Sequence, residues 1–428
     1  MGKEVVKLGL LGLGTIGCGV VELLRQNGDK IGANAEVELV LSRVLERDLA
    51  RAEIAGLDAA MLTDDPDQLL ADPEIDVIIE VIGGLESSRK FITKALENGK
   101  YVVTANKDLM ATHGFELFEI ARKKKRNIFY EASVGGGIPL IRPLKYSLVA
   151  DQVRRIVGIV NGTTNYIFTR MTNDDMNLQE ALLEAQKLGF AEADPTNDIE
   201  GLDAVYKLAV MAGLSFGKSI APDRIYVQGI TNVTHEDIAY ARELGYVIKL
   251  LAIGEKMPDG LALRVHPTLV PFHHPLASVH NEFNAIFIEG DAVGDLMFYG
   301  KGAGAMPTAT AVLADVVEAA RAAANGVDSI VMEKLEREEK LVPITELRFQ
   351  YYLRLLAEDR PGVFAALATA FGNEQVSLDM IIQKRRFGNL AEIVLVTHDV
   401  EESSFNRALD QVMQVEAVKP EASVIRLL

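Results

Sequence analysis

In the first third of the chain, short apolar runs alternate with longer amphipathic stretches. Short apolar runs predict five buried strands, at residues 5–11, 37–41, 76–82, 101–105 and 128–132. Longer amphipathic stretches predict helices between them, most clearly at residues 87–98 and 115–125. Strands that alternate with helices are typical of parallel sheets. The pattern therefore predicts an α/β chain with an N-terminal, Rossmann-type, doubly wound parallel sheet.

The pattern changes twice further along the chain. The middle predicts an α+β domain, with strands at 152–160, 246–254, 261–270 and 285–289. The last part predicts the order βαββαβ of a ferredoxin-like unit, with strands at 348–357, 377–384, 393–398 and 422–428 and helices at 363–373 and 402–413.

These changes predict four segments and one helix, late in the chain, that packs on the first segment. The segments are a dinucleotide-binding domain at 1–132, a substrate-binding and dimerisation domain at 133–306, a charged linker at 325–346 and a small domain at 347–428. An alanine-rich helix at about 307–324 is expected to complete the first domain.

A glycine motif joins the first predicted strand to a helix. Its residues are Gly12, Leu13, Gly14, Thr15, Ile16 and Gly17. In this position the glycines allow a tight turn and a close approach to a pyrophosphate, which the helix N-terminus also attracts. The predicted second strand ends at Ser42 and Arg43 rather than at an acid, so Arg43 favours a cofactor with a 2′-phosphate. The alternative is that Arg43 is an ordinary surface residue.

Further candidates follow at strand ends and in glycine-rich turns. Lys107 comes just after the strand that ends near Thr104, where parallel sheets bind ligands. The glycine run at 134–138 precedes a helix that Pro139 is expected to open. It could present carbonyl groups to a small cation, pass close to the cofactor or simply act as a hinge. A second glycine run, at 300–304, precedes the alanine-rich helix.

The richest cluster of charged residues lies between residues 189 and 207. It contains Glu192, Asp198 and Asp203, and Lys207 follows Asp203 by one helical turn in an otherwise apolar helix. Charged groups among apolar residues are often functional, although a solvated acidic turn is the alternative. The polar turn at 161–165 suits either a carboxylate or amine substrate or a plain helix cap.

Composition limits the range of partners and locations. The 428 residues carry a formal net charge of −17, which argues against nucleic acid and anionic membranes as partners. A single cysteine, no signal-peptide pattern and no apolar run of about 20 residues favour a cytoplasmic protein without membrane spans.

Taken together, the motifs resemble the homoserine dehydrogenase family over essentially the whole chain, and the C-terminal unit resembles an ACT domain. The motifs that carry the resemblance are residues 12–17, 104–107, 131–135, 161–165 and 189–207. Since no aspartokinase-like segment precedes the glycine loop, the single-function bacterial form is expected. The resemblance implies NAD(P)-linked interconversion of L-homoserine and L-aspartate 4-semialdehyde in threonine, methionine and isoleucine biosynthesis.

The resemblance also implies a role for each site residue. Glu192 and Asp203 would bind the amine and hydroxyl end of the substrate, Asp198 would support them, and Gly162 and Thr163 would add backbone and hydroxyl groups. Lys207 would donate the proton and Lys107 would lie near the nicotinamide; which of them is the acid–base group stays open. Gly304 would touch the cofactor, and a sodium ion would bind Glu131, Val134, Gly136 and Ile138.

Several partner predictions complete this interpretation. NADP(H) is expected as the cofactor, with NAD(H) also accepted, and the chain is expected to form a homodimer or homotetramer. An ACT domain could bind L-threonine as an effector or serve assembly alone. Two alternatives remain: a dehydrogenase of another amino acid on the same scaffold, and an amino-acid-sensing regulator without catalysis.

Overall fold

The computed structural model describes residues 3–326, 335–337 and 340–428. The first third of the chain follows the predicted alternation. Its elements are β1 (Val5–Leu11), α1 (Thr15–Ala35), β2 (Glu38–Leu45), α2 (Leu49–Ile54), β3 (Leu62–Thr63), α3 (Asp67–Leu70), β4 (Val77–Glu80), α4 (Glu86–Glu97), β5 (Tyr101–Thr104), α5 (Lys107–Lys124) and β6 (Ile128–Phe129).

The middle of the chain mixes helices with longer strands. Its elements are β7 (Val153–Ile159), α6 (Gly162–Asn173), α7 (Leu178–Lys187), α8 (Thr196–Ile199), α9 (Leu202–Phe216), β8 (Lys218–Ser219), β9 (Tyr226–Val227), α10 (His235–Glu243), β10 (Tyr246–Met257), β11 (Gly260–Pro271), β12 (Phe283–Gly290), β13 (Gly294–Lys301) and α11 (Ala305–Asn325).

The C-terminal part has the predicted βαββαβ order with three short strands added. Its elements are β14 (Glu336–Arg337), β15 (Arg348–Phe349), β16 (Tyr351–Glu358), α12 (Val363–Asn373), β17 (Leu378–Phe387), β18 (Leu390–Thr397), β19 (Val400–Glu401), α13 (Glu402–Met413) and β20 (Val418–Leu427). Part of the expected linker at 325–346 lies outside the described residues.

The chain divides into two compact units. Unit 1 comprises Met1–Ile156, Val205–Arg224 and Phe283–Glu339, and unit 2 comprises Val157–Ala204, Ile225–Glu282 and Lys340–Leu428. Among the described residues, no helix combines the length and the apolar character that a membrane crossing demands.

Unit 1 contains a parallel sheet of six strands in the order β3-β2-β1-β4-β5-β6. This is the predicted doubly wound sheet. The alanine-rich helix α11 shares a hydrophobic core with β1, β4 and α1. Gly19 on α1 lies so close to α11 that a Cβ atom there would be 2.9 Å from the Ala305 carbonyl oxygen, so only glycine permits this packing.

Unit 2 contains strands in the order β10-β11-β20-β16-β18-β17. Strands β20, β16, β18 and β17 form the antiparallel sheet of the ferredoxin-like unit. Strand β20 also pairs in parallel with β11, through Thr268 with Arg426 and Leu269 with Leu427. The C-terminal unit is therefore joined to the middle of the chain by backbone hydrogen bonds.

Three predicted boundaries are wrong. Strand β2 continues to Leu45 rather than ending at residue 41, because Ser42 and Arg43 lie on partly exposed strand positions and Val44 returns to the core. Helix α5 begins at Lys107, eight residues before the predicted start, because Asn106 caps it. No helix opens at Pro139; helical backbone begins at Ile141.

Candidate active site

The glycine loop after β1 has the geometry that a dinucleotide requires. Gly12 has φ +100°, and a Cβ atom there would lie 2.9 Å from the Cγ2 atom of Ile82. At Gly17 a Cβ atom would lie 2.1 Å from the Gly12 carbonyl oxygen. Gly14 is different, because a Cβ atom there would meet nothing within 4 Å. The first and last glycines serve packing, and Gly14 leaves open space at the start of α1, where a pyrophosphate fits.

The end of β2 differs from the sequence-based expectation. Arg43 lies inside the strand, paired with Gly9, and its guanidinium donates to the Gln68 side chain at 3.0 Å. The residues that follow the strand are Glu46 and Arg47. The predicted strand ended too early to place either residue at its end; the apolar pair at 44–45 was the available signal.

Strands β4 and β5 end in a buried polar network. Glu80 is fully buried, and its carboxylate accepts from the hydroxyl groups of Thr104 at 2.6 Å and Ser88 at 3.0 Å. Burial raises the pKa of Glu80, although these hydrogen bonds oppose the shift. The Thr104 hydroxyl oxygen in turn accepts from the Asn106 backbone N–H at 3.0 Å. Glu80, which the sequence analysis also missed, thereby fixes the turn that leads into α5.

Lys107 is the first residue of α5. The Asn106 carboxamide oxygen accepts from the Leu109 N–H at 3.0 Å, and its nitrogen donates to the Gly84 carbonyl oxygen at 2.7 Å. The side chain of Lys107 is 31% exposed, with its ammonium 3.7 Å from the Asp108 carboxylate. Its expected place directly after β5 is therefore correct, and the cap holds it at the carboxyl edge of the sheet.

The two later glycine runs lie against each other in unit 1. Gly136 has φ +54°, and a Cβ atom there would lie 2.4 Å from the Gly302 carbonyl oxygen. The Gly137 N–H donates to the Lys301 carbonyl oxygen at 3.1 Å. Gly304 then precedes α11 with φ +120°. Close backbone packing therefore explains why both runs contain glycine.

Glu131 anchors the first of these runs. Its buried carboxylate accepts from the backbone N–H groups of Leu140, Ile141 and Arg142 at 2.5–2.9 Å. Its own N–H donates to Asp315 on α11 at 2.8 Å. Among the described residues, no group of three or more His, Cys, Asp or Glu side chains could hold a metal ion. A cation at Glu131, Val134, Gly136 and Ile138 would therefore rely on carbonyl oxygens, which a glycine-rich turn can supply.

The polar turn at 161–165 lies at the start of α6 in unit 2. Asn161 caps the helix, since its carboxamide oxygen accepts from the Thr164 N–H at 2.8 Å. Gly162 packs so tightly that a Cβ atom would lie 2.7 Å from the Glu282 carbonyl oxygen. The hydroxyl group of Thr163 donates to the Phe190 carbonyl oxygen at 2.6 Å, which ties this turn to the start of the acidic stretch.

The acidic stretch brings two of its carboxylates together. The side-chain nitrogen of Asn161 donates to Asp198 on α8 at 2.6 Å and to Asp203 on α9 at 2.9 Å. Glu192 lies in the preceding turn with an exposed side chain. Lys207 follows Asp203 by one turn of α9, among the buried residues Val205, Leu208 and Ala209.

One buried lysine in unit 2 was not among the candidates predicted from the sequence. Lys249 on β10 is 3% exposed, and its amine donates to the Asn165 side chain at 2.9 Å and to the Val279 carbonyl oxygen. Burial lowers its pKa to about 7. Its presence in the middle of an apolar strand was the signal that could have revealed it.

A glycine loop of this geometry at the edge of a parallel sheet defines the class of protein: one that binds a dinucleotide. Three family profiles match the chain and agree with this class. They are the homoserine dehydrogenase NAD-binding domain at residues 12–131, homoserine dehydrogenase at 139–317 and the ACT domain at 351–417.

Relatives match along the full length. The homoserine dehydrogenase of Bacillus subtilis is 41% identical over 99% of this chain and 98% of its own length, and that of Synechocystis is 43% identical over 99% of each. The crystal structure of a homoserine dehydrogenase from Thiobacillus denitrificans superimposes with a TM-score of 0.94 at 40% identity, covering 100% of this chain and 99% of that one. The chain belongs to the homoserine dehydrogenase family, oxidoreductases that act on a CH–OH group with NAD(P).

Proposed function

We propose that this protein interconverts L-homoserine and L-aspartate 4-semialdehyde in threonine, methionine and isoleucine biosynthesis, with the site residues assigned below. The observation that carries the proposal is the pair of carboxylates, Asp198 and Asp203, that share one amide group. Both compounds carry an α-ammonium group. Two adjacent carboxylates favour such a cation strongly, because each is stabilised by its charge.

The substrate contacts lie at the acidic stretch and at the start of α6. Glu192 and Asp203 bind the amine and hydroxyl end, and Asp198 supports the pair. Gly162 and Thr163 are the first residues of α6, where backbone N–H groups lack a partner within the helix. Such groups suit the α-carboxylate of an amino acid.

The proton is handled by a lysine. When the aldehyde is reduced, its carbon receives the hydride and its oxygen receives a proton from a lysine ammonium; oxidation of the alcohol reverses both transfers. We assign this proton to Lys207, which shares α9 with Asp203. Lys107, at the start of α5, is the second candidate for the proton donor. We place it close to the nicotinamide of the cofactor.

The cofactor binds at the glycine loop of unit 1, and its nicotinamide supplies or accepts the hydride. Gly12, Leu13, Gly14, Thr15, Ile16 and Gly17 hold the pyrophosphate, and Thr104, Lys107 and Gly304 contribute further contacts. NADP(H) is the preferred cofactor and NAD(H) is also accepted, with Arg43 or Arg47 near the 2′-phosphate. Two observations support NADP: these arginines, and an archaeal homoserine dehydrogenase in complex with NADPH, whose chain has a TM-score of 0.63 at 26% identity.

Three further assignments belong to the same proposal. A sodium ion binds the carbonyl oxygens of Glu131, Val134, Gly136 and Ile138. The ACT domain binds L-threonine as a feedback effector. The protein works in the cytoplasm as a homodimer or homotetramer. They rest on the family and on the glycine-rich turn described above.

A direct assay tests the proposal. NADPH oxidation is followed at saturating L-aspartate 4-semialdehyde, and the reverse reaction with L-homoserine and NADP. Turnover in both directions is expected, with L-aspartate and L-alanine as inactive control substrates. Repeating the assay with L-threonine tests the effector. The proposal is wrong if neither substrate is turned over with either nicotinamide cofactor.

A further inference from the structure

Both the oxygen and the nitrogen of the Asn161 carboxamide form hydrogen bonds. The oxygen accepts from the Thr164 N–H at 2.8 Å and from the Thr164 hydroxyl at 2.9 Å. The nitrogen donates to Asp198 at 2.6 Å and to Asp203 at 2.9 Å. The residue is 5% exposed. Since the cap requires an acceptor facing Thr164, the two N–H groups must face the carboxylates, and the amide has one satisfactory orientation.

This orientation has an electrostatic consequence. Two carboxylates that contact one nitrogen atom lie close enough to repel each other, and the repulsion favours protonation or outward rotation of one of them. Each N–H group of Asn161 offsets the repulsion by a charge-assisted hydrogen bond to one carboxylate. The carboxylates also belong to different helices, so the two bonds link the start of α6 to α8 and to the start of α9.

We propose that Asn161 is a positioning residue that holds Asp198 and Asp203 together, both ionised, so that the pair is ready for the α-ammonium group of the substrate. The inference rests on the proposed function and adds to it. In this role Asn161 acts through the carboxylates rather than on the reacting atoms. A residue that served only as a helix cap would need only its side-chain oxygen. The side-chain nitrogen of Asn161 also donates to both carboxylates.

The sharpest variant is Asn161→Asp. Asp and Asn are about equally good helix caps and have almost the same shape, so α6 keeps its cap. The substitution changes only the donor side, where a carboxylate oxygen now faces Asp198 and Asp203. Asn177→Asp is the matched control, because Asn177 caps α7 in the same way, accepting from the Glu180 N–H at 3.0 Å, and its substitution adds the same charge.

The expected effect concerns the amino-acid substrate and not the cofactor. Asn161→Asp should raise the KM for L-homoserine by about tenfold or more, because a charge-assisted bond is lost and a repulsion is added. The dissociation constant for NADPH, measured by fluorescence titration, should stay within about twofold of wild type. The acid limb of the pH profile of kcat/KM should move to higher pH, because three carboxylates now share one space. Asn177→Asp should change none of these quantities.

A charge-relocating double variant tests the pairing itself. In Asn161→Asp with Asp198→Asn, one amide again lies among two carboxylates. The KM for L-homoserine should be lower in the double variant than in Asn161→Asp alone, which gives a favourable coupling in the double-mutant cycle. A purely structural role of Asn161 predicts additive effects instead.

Asn161→Ser is a second variant, to be used if Asn161→Asp does not fold. Serine also caps helices but is too short to reach both carboxylates and adds no charge. If Asn161→Asp unfolds below its assay temperature, the same rise in KM is expected from the serine variant. Folded Asp or Ser variants with the KM and pH profile of wild type would overturn the inference. A wild-type protein without activity on L-homoserine would overturn the proposed function, and this inference with it.

Discussion

The carboxylate of Glu46 accepts a hydrogen bond from the backbone N–H of Leu13 at 3.0 Å. The first acid after β2 is thereby tied to the glycine loop. Burial alone would raise the pKa of Glu46, but hydrogen bonds from the backbone N–H groups of Asp48, Leu13 and Arg47 outweigh it and lower the pKa. The ionised carboxylate of Glu46 thus accepts hydrogen bonds from the backbone. The side chain of the next residue, Arg47, is exposed.

This relationship predicts which arginine selects the cofactor. Arg47→Ala should lower kcat/KM for NADPH by about tenfold and leave the value for NADH nearly unchanged, because a guanidinium–phosphate contact is lost. Arg43→Ala is the comparison, since Arg43 lies within β2 and donates to Gln68. Steady-state kinetics with both cofactors decide the matter. A selective loss in the Arg43 variant alone would instead favour Arg43, the residue predicted from the sequence.

Substitution of Lys207 and substitution of Lys107 should impair the enzyme in different ways. Lys207→Ala should lower kcat by about 100-fold or more, because the proton donor is lost, while NADPH still binds. Lys107→Ala should lower kcat and also weaken NADPH binding. Fluorescence titration with NADPH separates the two. Lys187→Ala, at an exposed position on α7, is the control that should behave as wild type. Normal turnover in both site variants would refute the assigned chemistry.

Burial of Lys249 makes stability depend on pH. Its pKa is lowered to about 7 from the usual 10.5, so between these values the folded protein holds a neutral amine while the unfolded chain binds a proton. The unfolded state then binds more protons, and the free energy of unfolding rises with pH by up to roughly 1.4 kcal/mol per pH unit in this window.

A substitution isolates this contribution. Lys249→Met should flatten the rise in the free energy of unfolding between about pH 7 and 10, measured by urea denaturation. Lys256→Met, at an exposed position of the same strand, should leave the pH dependence as in wild type. Equal slopes in wild type and the Lys249 variant would show that the amine titrates normally in the fold.

Two ion pairs of equal length in unit 2 should differ greatly in their importance. Arg354 and Asp237 are 2.7 Å apart; the Asp237 side chain is fully buried and that of Arg354 is 14% exposed. Asp237 also accepts from Tyr352 and Ser423. Arg348 and Asp399 are also 2.7 Å apart but more than half exposed. Asp237→Ala should lower the free energy of unfolding by about 3 kcal/mol, because the Tyr352 and Ser423 hydroxyl groups lose their acceptor and Arg354 keeps one carboxylate partner, Glu392, in place of two.

The exposed pair provides the control. Asp399→Ala should lower the free energy of unfolding by less than about 1 kcal/mol, because solvent screens the pair. Asp237 lies on α10 and its partners lie in the ACT region, so the same network predicts that a chain ending near residue 346 folds poorly. A truncated chain with wild-type stability would contradict this view of the C-terminal unit as part of the fold.

Local patterns predicted most elements, because each depends on short-range chemistry. The glycine spacing at 12–17 and the period of apolar residues needed no information from elsewhere in the chain. One boundary error arose where a distant partner decides: strand β2 continues through Ser42 and Arg43 because β1 pairs with it as far as Leu45. The start of α5 at Lys107 has a local cause, since Asn106 caps the helix by accepting from the Leu109 N–H.

By itself, the sequence determined the class of fold, the dinucleotide loop and the set of acids and lysines from which the site is built. Tertiary structure decided which of them act together. Asn161 lies 37 and 42 residues from the carboxylates that it joins, and Glu46 lies 33 residues from the loop that it contacts. Such bonds depend on how strands and helices pack, since packing alone brings distant donors and acceptors within hydrogen-bond reach.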